Sequence, residues 1–194
     1  MFRAISVPEP LDATVRVFNV FSVSNYLLGQ IRASRYGLSP AAVPLALTID
    51  RFTNGLTRPL FGWVSDRLGR ENTMGFAFAL EGAAMTLWLL TRDDAAMFVL
   101  LSGVVFFGWG EIFSLFPSTL TDTFGTLHAT ANYGWLYISF GIGSIFGGPL
   151  AALLHQETGS WVPVFGCAIA LDLGTAALAV FVLKPARRRF VPHR

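Results

Sequence analysis

The chain alternates long apolar segments with short polar breaks. Four segments are apolar almost throughout, namely residues 72–91, 95–116, 131–154 and 160–183. A helix needs about 20 mostly apolar residues to cross the hydrocarbon layer of a bilayer, which is roughly 30 Å thick. Each of the four segments reaches that length, so the pattern predicts four transmembrane helices.

Two further segments are interrupted by charge. Residues 40–65 are long enough to span a bilayer but contain Asp50, Arg51 and Arg58. Residues 11–32 carry charged and amide side chains, and each central charge costs about 2.5–3.5 kcal/mol on the insertion scale. We predict a fifth span at 40–65 and a weak sixth at 11–32. The expected fold is an all-α, polytopic membrane bundle of five to six helices.

The polar breaks set the expected boundaries of that bundle. We assign residues 1–35 to an N-terminal segment with the weak or degraded span, residues 36–183 to the transmembrane bundle and residues 184–194 to a basic tail. Residues 117–130 form the longest predicted link between two spans. Residues 1–16 contain no apolar core segment, so they do not resemble a cleavable signal peptide.

Composition agrees with a membrane protein. Of the 194 residues, 53% are hydrophobic and 13% are charged, whereas a soluble domain carries about 25% charged residues. Mean hydropathy is +0.55, which would leave a soluble fold with too little polar surface. Cys167 is the single cysteine, and this excludes an internal disulfide and a cysteine-based metal site.

The basic residues predict the orientation in the membrane. With both termini inside and six spans, nine Lys and Arg residues lie inside and three lie outside. The nine are Arg3, Arg16, Arg67, Arg70, Lys184, Arg187, Arg188, Arg189 and Arg194, and the three are Arg32, Arg35 and Arg92. Cytoplasmic loops carry an excess of basic residues. We therefore predict a multi-pass protein of the cell (inner) membrane with cytoplasmic termini, whose basic tail meets lipid rather than nucleic acid.

The sequence gives no support to enzyme chemistry. The three histidines, His128, His155 and His193, are scattered, and there is neither a Ser/His/Asp cluster nor a Walker loop. We predict a protein that is not an enzyme, with no catalytic residue, no cofactor and no bound metal.

Arg58 is the foremost candidate for a functional residue. It precedes Asp66 by eight residues, so it lies about 12 Å along a helix, near the middle of the bilayer. An arginine at that depth is rare and is by default functional, and a guanidinium can bind a carboxylate through two hydrogen bonds. In the alternative interpretation Arg58 only braces the bundle. Its partner would then be Asp50, Glu81, Glu111 or Asp172.

A loop motif carries a resemblance to a known family. The segment GWVSDRLGR at 62–70 resembles the G-x-x-x-D-R-x-G-R loop of the major facilitator superfamily. Four stretches are similar to one branch, the oxalate/formate antiporter family: DRFTNGLTRP at 50–59, GRENTM at 69–74, WGEIFSLFP at 109–117 and NYG at 132–134. Complete members have twelve spans. The resemblance covers residues 40–190 and implies the C-terminal half of a major facilitator fold.

The resemblance also implies site residues. Arg58 matches the anion-binding arginine of the family, and Trp109, Phe113 and Tyr137 match aromatic residues that line its cavity. Ordinary packing against lipid or other helices is the alternative for the three aromatic residues.

The loop motif implies a conformational latch, formed by Gly62, Asp66, Arg67, Gly69 and Arg70. By resemblance, Asp66 bridges to a neighbouring helix end, with Asn132 opening such a helix, while Arg67 and Arg70 pair with acidic groups. The alternative is a solvated positive loop.

One position departs from the family. A lysine in its penultimate span is replaced here by Phe140. With one central cation instead of two, a dicarboxylate loses about half of its charge partners. A monocarboxylate such as formate thus becomes as good a candidate as oxalate.

Two groups of residues keep alternative interpretations. Gly143 and Gly147 form a small-residue pair that favours close helix packing, or sliding of one helix past another during transport. Glu81, Glu111 and Asp172 lie within apolar segments, where they could brace the bundle or carry protons.

The predicted function is antiport of a small organic anion of the oxalate/formate type across a lipid bilayer. The expected partners are the anion, the bilayer and either a separately made N-terminal half-transporter or a second copy of this chain. The alternative is a truncated, inactive or accessory membrane subunit without transport of its own.

Overall fold

The computed structural model describes residues 42–91 and 94–190, and within these ranges the chain forms helices and no strand. The helices are α1 (Ala42–Leu68), α2 (Arg70–Leu90), α3 (Ala95–Trp109), α4 (Ile112–Phe124), α5 (Ala129–Thr158) and α6 (Val162–Leu178). A π-helical turn (Ala179–Leu183) continues α6 into the short helix α7 (Lys184–Phe190). The predicted all-α fold is confirmed.

Within the part of the chain that the structure describes, four helical segments are long and apolar enough to cross a membrane. They are Arg70–Leu90, Val99–Phe124, Ala129–Thr158 and Val162–Phe190. These segments confirm the four spans that the apolar pattern predicts. The charged fifth segment also forms a long helix, α1, of 27 residues. The predicted weak span at 11–32 lies outside the described residues.

The predicted long link at 117–130 is wrong. Pro117 lies inside α4, which continues to Phe124, so the connection to α5 is only residues 125–128. Hydroxyl groups help a membrane helix to tolerate proline. Here Ser118 Oγ donates to the carbonyl of Ser114 (2.7 Å) and Thr121 Oγ1 donates to that of Pro117 (2.9 Å). The helix ends instead at Gly125, whose φ of 75° is a conformation that favours glycine.

The third span is broken at Gly110 and Glu111, which separate α3 from α4. The break lies where α1 crosses closely. A Cβ atom on Gly110 would lie 2.8 Å from the backbone oxygen of Asn54 and 3.0 Å from the Cβ of Thr57. Only glycine allows this approach, because any side chain would meet the backbone of α1.

Two apolar cores hold the bundle together, and α2 contributes to both. One core joins α2 to α4, α5 and the π-helical turn through residues such as Met74, Phe78, Phe116, Leu136 and Leu183. The other joins α2 to α3 and α6 through residues such as Met85, Trp88, Val105, Val164 and Phe165. The most extensive helix contacts are those of α1 with α3 and of α2 with α6 and α3. Both cores need α2, so it is the central helix of the described bundle.

Many large apolar side chains lie on the outside of these helices. Phe181 is 77% exposed and Leu90 is 75% exposed, which suits contact with lipid. On α5, Gly143 and Gly147 are buried. Their suggested part in packing or sliding stays a prediction.

Gly110→Ala should destabilise the bundle by about 1–3 kcal/mol, the usual range for overpacking. The added methyl group would press on the backbone of α1, which cannot move aside as a flexible side chain could. Thermal unfolding of the purified chain in detergent, followed by circular dichroism, measures the change. Gly134→Ala is the matched control because nothing lies within 4 Å of its added Cβ. Equal unfolding midpoints for the two variants would contradict the close approach.

Candidate functional site

Arg58 lies on the surface of the described bundle, at a middle turn of α1. Its guanidinium carbon is 4.8 Å from the centre of the Phe113 ring on α4. A cation over an aromatic face is held by the ring quadrupole. The ion pairs among residues 42–91 and 94–190 involve Arg70 and Arg187, and none involves Arg58.

The close approach of α1 to the α3–α4 turn brings the predicted aromatic residues next to Arg58. Trp109 and Phe113 meet edge to face, with ring centres 5.4 Å apart. On α5, Tyr133 and Tyr137 form a second edge-to-face pair at 4.9 Å. Tyr133 lies within electrostatic range of Arg58. Arg58, Trp109, Phe113 and the tyrosine pair thus form one group, which we call the arginine–aromatic site.

Tyr133 is a member of this site that the family resemblance did not supply. The sequence contained a signal for Tyr133, since it precedes Tyr137 by four residues and residues four apart share one face of a helix. Tyr137 is 54% exposed, so the tyrosine pair extends to the surface of the bundle. Phe140, at the position of the family's lysine, instead packs against the core that contains Phe116.

The site offers hydrogen-bond donors. A guanidinium has five N–H donors in its plane, and stacking on a ring leaves that plane accessible. The indole Nε1 of Trp109 is buried and has no hydrogen-bond partner among the described residues. Two parallel N–H bonds from an arginine match a carboxylate well. The chemistry of the site therefore suits a small carboxylate.

The suggested bracing acids are placed differently. Glu81 and Glu111 are fully buried inside the bundle, whereas Arg58 is exposed. Their carboxylate oxygens make no hydrogen bond to any described residue, and so none to Arg58. The side chain of Asp50 lies outside the described part of the structure.

At the end of the bundle where α1 meets α2, Arg70 is the centre of a charged network. Its guanidinium contacts Asp66 Oδ1 at 2.8 Å and Asp122 Oδ2 at 3.0 Å, and it also donates to the hydroxyl of Ser65. Gly69 makes the turn between the helices with a φ of 88°. Because Asp122 is on α4, Arg70 joins the α1–α2 turn to the end of that helix.

Two of the expected latch contacts differ from those in the structure. The guanidinium carbon of Arg67 lies 3.7 Å from the centre of the Trp63 ring, and Arg67 meets no acid among the described residues. The partner of Asp66 is Arg70 on the adjacent helix turn, not the helix end near Asn132. Stacking on Trp63 is available to Arg67 because the two residues are one turn apart on α1. An added Cβ at Gly62 would meet nothing within 4 Å.

A second set of contacts ties α7 to the same end of the bundle. Arg187 pairs with the carboxylate of Glu71 and donates to Thr123 Oγ1 at 2.7 Å. Lys184 donates to Asn72 Oδ1 at 2.7 Å. Sequence reasoning assigned Lys184 and Arg187 to a lipid-facing tail and missed these contacts. The available signal was Glu71, an acid directly after the basic loop.

These features define a multi-pass helical membrane protein with a cationic, aromatic site on one side and a charged network at one end. A sequence model described as Major Facilitator Superfamily matches residues 13–194. The chain belongs to the major facilitator superfamily. Its members are carriers of small molecules within the lipid bilayer and are generally not enzymes.

Curated relatives agree with this assignment. The chain is 34% identical over 149 residues to the oxalate:formate antiporter of Oxalobacter formigenes, an alignment that covers 76% of this chain and 35% of that protein. It is 28% identical to the uncharacterized MFS-type transporter YhjX of Escherichia coli (strain K12), covering 62% of this chain and 31% of the relative. It is 30% identical to the human protein spinster homolog 3, in an alignment that covers 55% of this chain and 21% of that relative. The chain thus spans about a third or less of the length of these relatives.

The Glu71–Arg187 pair should be energetically coupled. Both side chains are largely buried, with exposed fractions of 13% and 15%, so water screens the pair only weakly. A double-mutant cycle with Glu71→Gln and Arg187→Gln should give a coupling free energy of about 0.5–3 kcal/mol, the usual range for residues in contact. Denaturant titration in mixed micelles measures it. Arg188→Gln, at an exposed neighbouring position, should combine additively with Glu71→Gln. A coupling near zero for the first pair would show that the contact does not hold α7.

Proposed function

We propose that this chain forms one wall of the binding cleft of a transporter that exchanges small organic anions of the oxalate/formate type. The observation that carries the proposal is Arg58. It lies exposed in the long helix α1, rests on an aromatic ring and has no acidic partner among the described residues.

The depth of Arg58 supports an anion as its partner. It lies ten residues before the end of α1 at Leu68, which is about 15 Å at 1.5 Å per residue and half the thickness of the hydrocarbon layer. A cation at that depth is costly unless it meets water or a counter-charge. A carboxylate that enters a wet cleft supplies the counter-charge, and low surrounding polarity strengthens their attraction.

The position of the site supports a cleft between two walls. In carriers built from repeats, substrate binds near the middle of the bilayer between the repeats, and one repeat rocks against the other. Arg58 and Tyr137 are on the outside of the described bundle, where a second wall would meet them. A separate half-transporter or a second copy of this chain would supply that wall. The proposed orientation keeps both termini in the cytoplasm.

The number of cations bears on the choice of anion. Arg58 gives the arginine–aromatic site one guanidinium, and Phe140 adds no charge where the related family has a lysine. One guanidinium matches one carboxylate, as in formate. Oxalate, with two, would take its second cation from the other wall. The antiporter from Oxalobacter formigenes is the relative whose name supports exchange of these two anions.

Anion binding should depend on the shape of the Arg58 side chain as well as on its charge. Arg58→Lys keeps the charge but loses the paired N–H donors, so affinity for labelled formate or oxalate should fall about tenfold, equal to about 1.4 kcal/mol. Arg58→Gln should abolish measurable binding. Equilibrium dialysis of the purified chain in lipid nanodiscs measures affinity, and counterflow in proteoliposomes measures exchange.

Arg51→Gln is the matched control, because Arg51 is an exposed arginine on the same helix two turns away. It should bind the anions as the unchanged chain does. If Arg58→Gln bound formate and oxalate as well as Arg51→Gln did, the proposed binding role would be lost. An accessory or scaffold subunit would then be the better account.

A further inference from the structure

Two carboxyl groups in the middle of the bundle have no part in the arginine–aromatic site. Glu81 on α2 and Glu111 at the α3–α4 turn are both 0% exposed. All four of their carboxylate oxygens are buried and lack a hydrogen-bond partner among the described residues. Buried polar groups are normally hydrogen-bonded, so two such groups together need a physical explanation.

Among the described residues, the charged groups that neighbour Glu81 are acids. The groups whose charges act on it are Asp172 from α6 and Glu111 from the α3–α4 turn. Its carboxylate lies against the backbone of α3, where an added Cβ on Gly108 would be 3.5 Å from Glu81 Oε2. The charged residues of α1 that the structure describes, Arg58 among them, are exposed rather than buried beside Glu81.

Glu111 belongs to a different element from Glu81, the turn between α3 and α4. It precedes α4, where a carboxylate could accept hydrogen bonds from the free backbone N–H groups of the first turn. Its side chain makes no such bond. Its backbone oxygen accepts from Ser114 N (3.0 Å), Ser114 Oγ (3.1 Å) and Leu115 N (2.8 Å). The side chain is instead buried in the bundle, within electrostatic range of Glu81.

A charged carboxylate cannot remain in such a place without a ligand. An isolated ionised carboxylate in an apolar interior is so unfavourable that the group is neutralised instead. No group of three or more His, Cys, Asp or Glu side chains among the described residues could hold a metal ion. A proton can neutralise such a group, because it converts each carboxylate to a neutral carboxylic acid.

We propose that Glu81 and Glu111 form a buried proton-binding site at the break between α3 and α4. Each takes up one proton when the bundle closes around it and releases it when the break opens to water. Glu111 is next to Gly110, on which α1 packs, and α1 carries Arg58. Movement of α1 during anion exchange would therefore move a proton-binding group, which would couple proton release to the anion cycle.

Infrared spectroscopy tests proton binding without any transport. The full chain in lipid vesicles near neutral pH should show the C=O stretching band of protonated carboxylic acids. Carbon-13 labelling of glutamate should shift that band. The shifted band should lose about half of its intensity in Glu81→Gln, and likewise about half in Glu111→Gln. Gln is the right replacement because it resembles the protonated acid in shape and lacks the titrating proton.

Glu157→Gln is the matched control, since Glu157 is an exposed glutamate at the end of α5. It should leave the band unchanged. Absence of a band that shifts with labelled glutamate in the unaltered chain would overturn the proposal, whatever the variants do. A labelled band that persists undiminished in both the Glu81 and the Glu111 variants would also overturn it. Because the readout is protonation, its failure is separate from failure of anion binding at Arg58.

Discussion

A charge in the middle of a membrane helix costs about 2.5–3.5 kcal/mol on the insertion scale unless a partner offsets it, and the described helices use three kinds of partner. Arg58 rests on the Phe113 ring and keeps its N–H donors accessible. Glu81 and Glu111 are buried without a hydrogen bond, which favours bound protons. Arg70 and Arg187, at the end of the bundle, are paired with acids. The charged groups that are paired with acids are therefore the structural ones, and those without such a pair are the candidate functional ones.

The contact of α1 with Gly110 connects these groups. Because glycine lets the backbone of α1 approach the α3–α4 turn, Arg58 reaches Phe113 just beyond the break. The same turn contains Trp109 on one side and Glu111 on the other. One close helix crossing therefore positions the aromatic part of the arginine–aromatic site and one of the buried carboxyl groups. A shift of α1 would displace both the aromatic residues and the buried carboxyl group, which is the physical basis for coupling the two sites.

The sequence predicts the spans well because their length and apolar character are local properties. It predicts the ends and breaks less well. Pro117 indicates a link, but α4 continues through it where nearby hydroxyl groups bond to the backbone. The break at Gly110 depends on the packing of α1, which no local pattern shows.

Long-range contacts are harder still to predict. The Glu71–Arg187 pair joins residues 116 positions apart. Arg58 was predicted from its depth in a helix, and Trp109, Phe113 and Tyr137 were predicted through family resemblance. The signal for Tyr133 was its spacing of four residues from Tyr137.

Water access to Arg58 is the most direct test of the account. With Cys167→Ala as background, Arg58→Cys should react rapidly with a charged, membrane-impermeant thiol reagent in lipid vesicles. Leu60→Cys, at similar depth but on a different face of α1, should react at least tenfold more slowly. Reaction of both positions at the same slow rate would place Arg58 in lipid or protein rather than in a wet cleft, and would contradict its assignment as the anion-binding group.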